Sequence, residues 1–350
     1  MLDYIIVGQG IAGSMLAWFL QKENKRFVIL EPGKVNSSSL VAAGLLNPIT
    51  GRKFSKTWLA EELFPFAEST YKEIEVLLGQ TFYQSFPLLH LFDSVKSQND
   101  WSVRCASPGY TRFLKSEEIM YLDQEKVNNN FGAFEVGGAA RMHTEKLVPA
   151  LRRHFSSNGL LREQPFTATA LTLYNDYVQY DDLQARRIIF CEGASPNTLF
   201  PNLPYQYAKG ECLLVHINDF YPDYIIKGDA GIIPWTEPDV YYIGATHHWK
   251  YEDDKPSAIG REELEQNLKN VLRLPYQIVD HRAAIRPATH GRRPFIGLHP
   301  KHQQVGIFNG LGTKGFSLSP YFARHFVEHL ERGTPLLPEV DVKRFYQPKG

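Results

Sequence analysis

Three glycines near the start of the chain have the spacing of a phosphate-binding loop. They form the pattern Gly8-x-Gly10-x-x-Gly13, directly after an apolar run at residues 3–7. In such a loop the first glycine makes a tight turn, the second lets the backbone approach a pyrophosphate, and the third lets helix and strand pack closely. Glu31 follows about twenty residues later, where a carboxylate accepts hydrogen bonds from a ribose diol. These residues predict a dinucleotide-binding site.

A strand, a helix and a second strand must position these residues, and the local sequence predicts all three. The Ile- and Val-rich run at residues 3–7 is typical of a buried parallel strand. Residues 14–22 predict a helix, whose N-terminus would offer N–H groups and the positive end of its dipole to phosphates. Residues 27–30 predict the second strand, which ends at Glu31. A carboxylate there would repel a 2′-phosphate, which argues against NADP.

The composition is that of an ordinary globular protein. The 350 residues are 43% hydrophobic, and 38 Lys and Arg balance 38 Asp and Glu, which argues against nucleic acid or an anionic membrane as a partner. We see neither a membrane-spanning apolar run nor the features of a signal peptide. Cys105, Cys191 and Cys212 are far apart. No metal site is therefore predicted, and a reduced, cytoplasmic setting fits best.

The order of the predicted elements indicates two interleaved domains. The strand–helix–strand start is matched near the end by a strand at 304–308, a glycine turn at 309–315 and a helix at 316–332. Strand-like segments dominate the middle, where residues 96–130 are polar and turn-rich. We predict an α/β fold, α+β overall, in which a mostly antiparallel-sheet substrate domain is inserted into a Rossmann-type nucleotide-binding domain. The predicted nucleotide-binding domain comprises residues 1–80, 140–205 and 286–350, and the substrate domain comprises residues 81–139 and 206–285.

Further motifs follow the glycine loop in a fixed order. They are Ser38-Ser39 with Ala42-Ala43-Gly44-Leu45, Ile188-Ile-Phe-Cys-Glu192-Gly193-Ala194, Lys209-Gly210-Glu211-Cys212-Leu213, Gly244-Ala245-Thr246, Ala284-Ile285-Arg286-Pro287-Ala288-Thr289 with Gly291-Arg-Arg-Pro294-Phe-Ile296-Gly297, and Gly310-Leu-Gly312-Thr313-Lys314-Gly315. Together they resemble the D-amino-acid oxidase superfamily of FAD-dependent oxidoreductases, most closely its glycine oxidase and sarcosine oxidase branch. The resemblance covers nearly the whole chain and rests on order and spacing, since each motif alone is weak.

The resemblance implies that FAD is the cofactor. Sarcosine-type relatives attach the flavin through a cysteine near the C-terminal block, but no cysteine lies beyond Cys212 here, so we expect non-covalent FAD. The residues expected to contact FAD are Gly8, Gly10, Ile11, Ala12, Gly13, Glu31, Pro32, Ser38, Ser39, Ala43, Gly44, Leu45, Phe166, Glu192, Gly193, Gly310, Leu311, Gly312, Thr313, Lys314, Gly315 and Phe316.

The resemblance also suggests how a substrate is held. In the family, the arginine of the Arg-Pro block binds a substrate carboxylate, and this role falls on Arg286. A guanidinium suits two-point recognition of a carboxylate, although a structural ion pair is the alternative. The chain departs from glycine oxidases at Gly231, where they have a substrate-facing tyrosine, and at Thr313, where they have a second arginine. The neighbouring Lys314 could supply that charge.

Two other features have open roles. His247 and His248 follow Gly244-Ala-Thr, where a polar group could face the flavin, or they are exposed histidines of an edge strand. Arg52, Lys53 and Lys56 form a basic cluster that is either a solvated loop or a means of attracting an anionic substrate. The candidates for catalysis are therefore Arg286, Lys314 and His247.

These features predict an enzyme that oxidises the C–N bond of a small amine or amino acid bearing a carboxylate, by hydride transfer to flavin. Oxygen or another acceptor would then take the electrons. The sequence shows no obvious catalytic dyad, which fits because a neutral amine needs no general base to give hydride. The alternatives are a 2-hydroxy-acid dehydrogenase, a flavin-binding protein without turnover, and a tRNA-modifying flavoenzyme that trims an aminomethyl group from a wobble uridine. The last branch usually carries a methyltransferase domain, which is not expected here.

Overall fold

The computed structural model describes residues 1–33, 36–51, 53–119, 122–195 and 197–346. In these ranges the strands are β1 (Leu2–Val7), β2 (Phe27–Leu30), β3 (Leu45–Leu46), β4 (Ile49–Thr50), β5 (Ser55–Lys56), β6 (Tyr83–Ser85), β7 (Leu88–Leu91), β8 (Leu114–Ile119), β9 (Ala133–Val136), β10 (Ala140–Met142), β11 (Leu161–Arg162), β12 (Leu171–Leu173), β13 (Val178–Tyr180), β14 (Leu183–Phe190), β15 (Ala208–His216), β16 (Ile225–Lys227), β17 (Gly231–Pro234), β18 (Val240–Gly244), β19 (Gln277–Arg286), β20 (Phe295–Leu298) and β21 (Val305–Asn309). The α-helices of the same ranges are α1 (Ile11–Lys22), α2 (Ser38–Val41), α3 (Ala60–Leu78), α4 (Val95–Cys105), α5 (Thr144–Ser157), α6 (Ala258–Val271) and α7 (Gly315–Arg332).

The chain divides into two compact units, each built from separate segments. The first unit comprises residues 1–40, 145–208 and 285–350, and the second comprises residues 41–144 and 209–284. Residues 41–80, which the sequence analysis places in the nucleotide-binding domain, lie in the second unit. The reason is strand pairing and packing: β3 pairs with β10 in the sheet that also contains β6, and α3 packs on β6.

The first unit is built on a mainly parallel sheet. Its order is β11-β2-β1-β14-β13-β12, and β21 pairs in parallel with β14 and antiparallel with β20. Along β1, Val7 is level with Leu30 of β2 and with Phe190 of β14. Because these strands are parallel, the loops that follow them meet at one edge of the sheet. Helix α1 leaves this edge, is buried from residue 11 to residue 20, and packs against α7.

The second unit contains a larger sheet that is mostly antiparallel, in the order β19-β15-β18-β17-β16-β7-β9-β8. The β16–β7 pair is parallel, whereas β15–β18, β17–β18, β16–β17, β7–β9 and β8–β9 are antiparallel. Side chains from this sheet, such as Leu213 and Ile243, are buried in one core with Leu264 and Leu268 of α6. A smaller sheet has the order β3-β10-β6.

Helix α4 lies in the stretch whose polar, turn-rich sequence did not predict a helix. The Ser94 hydroxyl accepts a hydrogen bond from the Ser97 N–H (3.2 Å), and the Ser97 hydroxyl accepts one from the Ser94 N–H (3.2 Å). This reciprocal arrangement is a capping box, which satisfies two N–H groups at the start of the helix. The buried side chains of α4 are those of Ser97 and Trp101, so its apolar periodicity is weak.

Candidate functional site

The glycine loop of the first unit has no room for side chains at two of its three glycines. Gly8 has a φ of +99°, and a Cβ on it would lie 2.5 Å from the carbonyl oxygen of Cys191. A Cβ on Gly13 would lie 1.9 Å from the carbonyl oxygen of Gly8. The loop after β1 is therefore pressed against the end of β14 and against the first turn of α1. These are the tight turn and the close helix–strand packing of a dinucleotide-binding loop.

Gly10 differs from the other two, because its surroundings leave space. A Cβ on Gly10 would meet the Ser39 hydroxyl at 3.2 Å and no closer heavy atom outside the adjoining residues. Gly10 is the N-cap of α1 and provides no side-chain cap. The Ile11 N–H donates to the Ser39 hydroxyl (3.0 Å). A helix start whose N-cap residue has no side chain suits a phosphate group.

Glu31 is fixed at the end of β2, beside the glycine loop. Its Oε2 accepts a hydrogen bond from the backbone N–H of Gln9 at 2.5 Å. The Gln9 side chain in turn donates to the Ser14 hydroxyl (2.9 Å) on α1. Burial raises the pKa of Glu31, while the Gln9 hydrogen bond and the charge of Arg152 oppose this rise. Glu31, which was expected to lie near the glycine loop from its distance along the sequence, is thus held beside that loop by a hydrogen bond.

Glu192 and Gly193 reach the same edge at the end of β14. The Cys191 N–H donates to the carbonyl of Val7 (2.7 Å), which ties this strand end to β1. Burial raises the pKa of Glu192 to about 7, although the Asn197 amide donates to its Oε2 (2.7 Å) and acts in the opposite direction. The Asn309 amide at the end of β21 donates to the carbonyl of Gly193 (3.0 Å).

The C-terminal loop, residues 310–315, packs against the segment that follows Arg286. The Gly312 N–H donates to the carbonyl of Pro287 (3.1 Å), and a Cβ on Gly310 would lie 2.6 Å from Thr289 Cγ2. At the other end of the loop, a Cβ on Gly315 would lie 3.0 Å from Ile11 Cγ2. The loop therefore lies beside both the start of α1 and the Arg-Pro block.

Positive charges gather where these segments meet. Arg286 is the last residue of β19 and is half-buried. Burial lowers the pKa of Lys314 to about 8, and the neighbouring charges of Arg292 and Arg293 act in the same direction. Burial also lowers the pKa of Arg293, which Glu339 partly offsets.

The remaining predicted cofactor contacts of the first unit are mainly buried. The side chains of Ile11, Ala12, Leu311 and Phe316 are buried. Phe166 stacks on Tyr180 and meets Phe190 edge-on, with ring centroids 5.2 and 5.1 Å apart. Its part in binding FAD stays a prediction. Pro32 and Ser38 are half-buried, Ser39 is buried, and Thr313 is exposed.

In the second unit, the packing around Gly44 leaves no room for a side chain at this position. Gly44 has a φ of +71°, and a Cβ on it would lie 1.8 Å from the carbonyl oxygen of Met142. Its own carbonyl accepts a hydrogen bond from the Met142 N–H (2.8 Å). The close approach fixes the turn that contains Ala43 and Leu45, both half-buried.

The second unit also contains residues whose roles the sequence leaves open, namely His247, His248, Lys53 and Lys56. His247 is exposed, with its ring 4.6 Å from that of Trp249, and His248 lies 2.7 Å from Glu263. Lys56 pairs with Glu61 at 2.5 Å, whereas Lys53 is exposed. Arg52 lies outside the described residues. The proposed catalytic role of His247 stays a prediction.

Sequence reasoning missed a buried ionic cluster on β15. Glu211 is fully buried and accepts hydrogen bonds from the Ser257 N–H (2.8 Å) and hydroxyl (2.6 Å), and Lys209 Nζ lies 3.3 Å from its Oε1. Burial opposes ionisation, but these partners hold the pKa of Glu211 below its ordinary value. Ser257 is the N-cap of α6, so the cluster anchors that helix to the sheet. Only the alternation of charged residues at 209 and 211 in an apolar strand hinted at it.

The residues that the structure describes contain no group of His, Cys, Asp and Glu side chains that could hold a metal ion. In the same residues, no helix combines the length and the apolar character needed to cross a membrane.

The parallel sheet, the steric need for glycine at positions 8 and 13, and the fixed Glu31 define a dinucleotide-binding unit. A family model described as FAD dependent oxidoreductase (DAO) matches residues 3–329. The chain therefore belongs to the DAO family of FAD-dependent oxidoreductases, and its cofactor is FAD. The residues present fit this cofactor, because the loop leaves space at Gly10 and holds a carboxylate near the helix start.

Similar proteins agree with this assignment. The chain is 23% identical to a glycine oxidase of Pseudomonas putida, over 99% of this chain and 98% of that protein. It is also 23% identical to the tRNA 5-methylaminomethyl-2-thiouridine biosynthesis bifunctional protein MnmC of Maricaulis maris, over 96% of this chain but 53% of that protein. The crystal structure of glycine oxidase from Geobacillus kaustophilus matches with a TM-score of 0.80 and 19% identity, over 96% of this chain and 95% of that chain. The predicted family, fold class and cofactor are thus confirmed.

Proposed function

We propose that this enzyme oxidises the C–N bond of a small amine or amino acid that bears a carboxylate. Bound FAD supplies the two-electron acceptor, and the protein supplies binding, orientation and electrostatics. The similar proteins named glycine oxidase act, by their names, on glycine, the smallest amino acid. A small carboxylated amine is the substrate class that fits this likeness and the guanidinium of Arg286.

The observation that carries the proposal is the packing of the C-terminal loop on the Arg-Pro block. The Gly312–Pro287 hydrogen bond joins the segment that carries the half-buried Arg286 to the Lys314 loop within the first unit. A guanidinium in such a setting can bind a carboxylate at two points and orient the adjoining Cα–N bond. Holding the carboxylate in one orientation is the main task that we assign to Arg286.

Anaerobic titration with a panel of amines and amino acids tests the proposal, with bleaching of the flavin spectrum as the measurement. Leaving a buried charge without its partner costs about 3–5 kcal/mol, so Arg286→Ala should lower the efficiency of flavin reduction by about two to four orders of magnitude. FAD content should stay near that of the parent. Arg286→Lys should recover part of the loss, because an ammonium cannot make the two-point contact.

Arg282→Ala is a matched control on the same strand. Arg282 Nε pairs with Asp280 at 2.6 Å, and both side chains are partly exposed, so the pair should contribute little. Arg282→Ala should therefore leave the efficiency of flavin reduction unchanged. If Arg286→Ala instead unfolds or loses FAD, Arg286 is structural. If it reduces the flavin with the parent's efficiency, the carboxylate is held elsewhere.

A second candidate function is a step in tRNA 5-methylaminomethyl-2-thiouridine biosynthesis. The observation in its favour is the match to the Maricaulis maris protein over 96% of this chain. Flavin reduction by a tRNA that bears an aminomethylated wobble uridine, without reduction by any free amine, would favour it. Reduction by 2-hydroxy acids alone would point to a dehydrogenase of that class, and no reduction by any of them to a flavin-binding protein without turnover.

A further inference from the structure

The segment that contains Arg286 carries an unbalanced positive charge. Residues 281–327 include seven Lys and Arg residues and no Asp or Glu, although the whole chain has equal numbers of basic and acidic residues. This stretch comprises the end of β19, the Arg-Pro block, β20, β21, the C-terminal loop and the start of α7. The imbalance therefore falls on the segments that the proposed function assigns to substrate and cofactor.

The fold brings three of these cations together from two segments. Arg292 and Arg293 precede β20, and their charges act on Lys314 of the C-terminal loop. Two hydrogen bonds fix the segments: the Gly312 N–H donates to Pro287 O (3.1 Å), and the Thr289 hydroxyl donates to Arg293 O (2.7 Å). Glu339 and Arg344 also act on Arg293, with opposite signs.

The surroundings of Lys314 work against a positive charge on its ammonium group. Burial of the Lys314 side chain lowers its pKa, and the neighbouring charges of Arg292 and Arg293 act in the same direction. An anionic group bound beside them would reverse both effects, since a partner of opposite charge favours the charged form. The proposed function places a carboxylate on Arg286 and no group of the substrate on Lys314, Arg292 or Arg293.

We infer that the substrate carries a second anionic group, a carboxylate or a phosphate, which Lys314 binds together with Arg292 and Arg293. This inference rests on the proposed function, in which the first carboxylate binds Arg286. It narrows the substrate class to dianionic amines, in contrast to glycine, which carries one carboxylate.

Three matched amines test the inference by anaerobic flavin reduction. They are N-methylglycine with one carboxylate, iminodiacetate with two, and N-(phosphonomethyl)glycine with a carboxylate and a phosphonate. We expect at least one dianion to reduce the flavin at least about 10-fold more efficiently than N-methylglycine. The preferred dianion identifies the second group as a carboxylate or a phosphate-like anion.

Variants of Lys314 then show whether the preference arises at this cluster. Lys314→Met should lower the ratio of dianion to monoanion efficiency by about 10-fold or more, and Lys314→Arg should keep most of it. Lys301→Met is the control, because it removes an exposed lysine of the same acid-free segment and should leave the ratio unchanged. FAD affinity is measured for each variant by titration of the apoprotein.

Several outcomes would overturn the inference. N-methylglycine as the best of the three substrates would do so, as would an equal loss with all three in Lys314→Met. Loss of FAD affinity in Lys314→Met would assign the cation to the cofactor instead. Reduction without preference rejects only the second anion site, whereas no reduction by any free amine rejects the proposed function and this inference together. Reduction by an aminomethylated tRNA alone would also reject both.

Discussion

Gly10→Ala should separate FAD binding from the folding of the protein. The backbone at Gly10 has φ −67° and ψ −171°, which alanine adopts readily, and the nearest atom to a new Cβ is the Ser39 hydroxyl at 3.2 Å. At such a site the methyl group reduces the freedom of the unfolded chain, and the tight contact with Ser39 opposes this gain. We therefore expect the free energy of unfolding of the apoprotein to change by less than about 1 kcal/mol.

The effect on FAD should be much larger. The second glycine of this loop lets the backbone approach the pyrophosphate, and a methyl group there would hold the phosphates away from the N–H groups of α1. Loss of two hydrogen bonds to a charged group, each contributing about 1.5–3 kcal/mol, predicts FAD binding at least about 100-fold weaker.

Two further glycine variants make the experiment decisive. Gly13→Ala places a Cβ 1.9 Å from Gly8 O, so it should destabilise the apoprotein by about 1–3 kcal/mol or more and weaken FAD binding as well. Gly33→Ala is the control, because among the described residues its Cβ would meet only Glu163 Oε2, at 3.8 Å. Urea unfolding of apoprotein and quenching of FAD fluorescence give the two measurements. Parental FAD affinity in Gly10→Ala would refute the assignment of the phosphate site.

Four other predictions concern the cofactor and two buried titratable groups. Acid precipitation should release FAD into the supernatant, and flavin retained in the pellet would show a covalent bond. Glu31→Gln should weaken FAD binding by about 1–3 kcal/mol and leave the flavin spectrum unchanged, because a charged acceptor is lost at the ribose; unchanged affinity would place Glu31 elsewhere. Burial raises the pKa of Glu192 from 4.5 to about 7, so the parent apoprotein loses stability as the pH rises through this range. Glu192→Gln should then be more stable than the parent by about 3 kcal/mol at pH 8 and similar to it at pH 4, as measured by urea unfolding. Burial lowers the pKa of His90 from 6.5 to about 4, so the parent should lose about 3 kcal/mol as the pH falls from 7 to 4, and His90→Phe should not show this loss. If the stability of either variant depends on pH as the stability of the parent does, the pKa shift assigned to that residue is wrong.

The parts of the fold that could be predicted from the sequence are those determined by local patterns. The glycine spacing, the apolar run before it and the acid after β2 are all contained in residues 1–31, and the structure places them at one sheet edge as parallel pairing requires. Helix α3, at Ala60–Leu78, is of the same kind, because its buried side chains follow the helical period, which can be read from the sequence. Helix α4 was missed, since a capping box and two buried residues leave little periodic signal.

Contacts between distant segments could not be predicted in this way. Glu211 meets Ser257 only because α6 begins over β15, 46 residues further along the chain. Position 44 has no room for a side chain only because β10, which follows almost 100 residues later, pairs with β3. The same pairing places residues 41–80 in the second unit. In each case the residue type is the consequence of a tertiary contact, and the local sequence does not identify the partner.

The net charge of a chain is also a limited guide to the ligands that it binds. Equal numbers of basic and acidic residues argue against nucleic acid or an anionic membrane as a partner, because the average field of such a protein is weak. The field that a ligand meets depends instead on the charges that the fold places within a Debye length, about 8 Å at physiological salt. The fold packs the loop that carries Lys314 against the segment that carries Arg286, Arg292 and Arg293, inside a stretch without a single carboxylate. A chain that is neutral as a whole can therefore bring several cations together, and its net charge is a poor guide to the charge of its ligand.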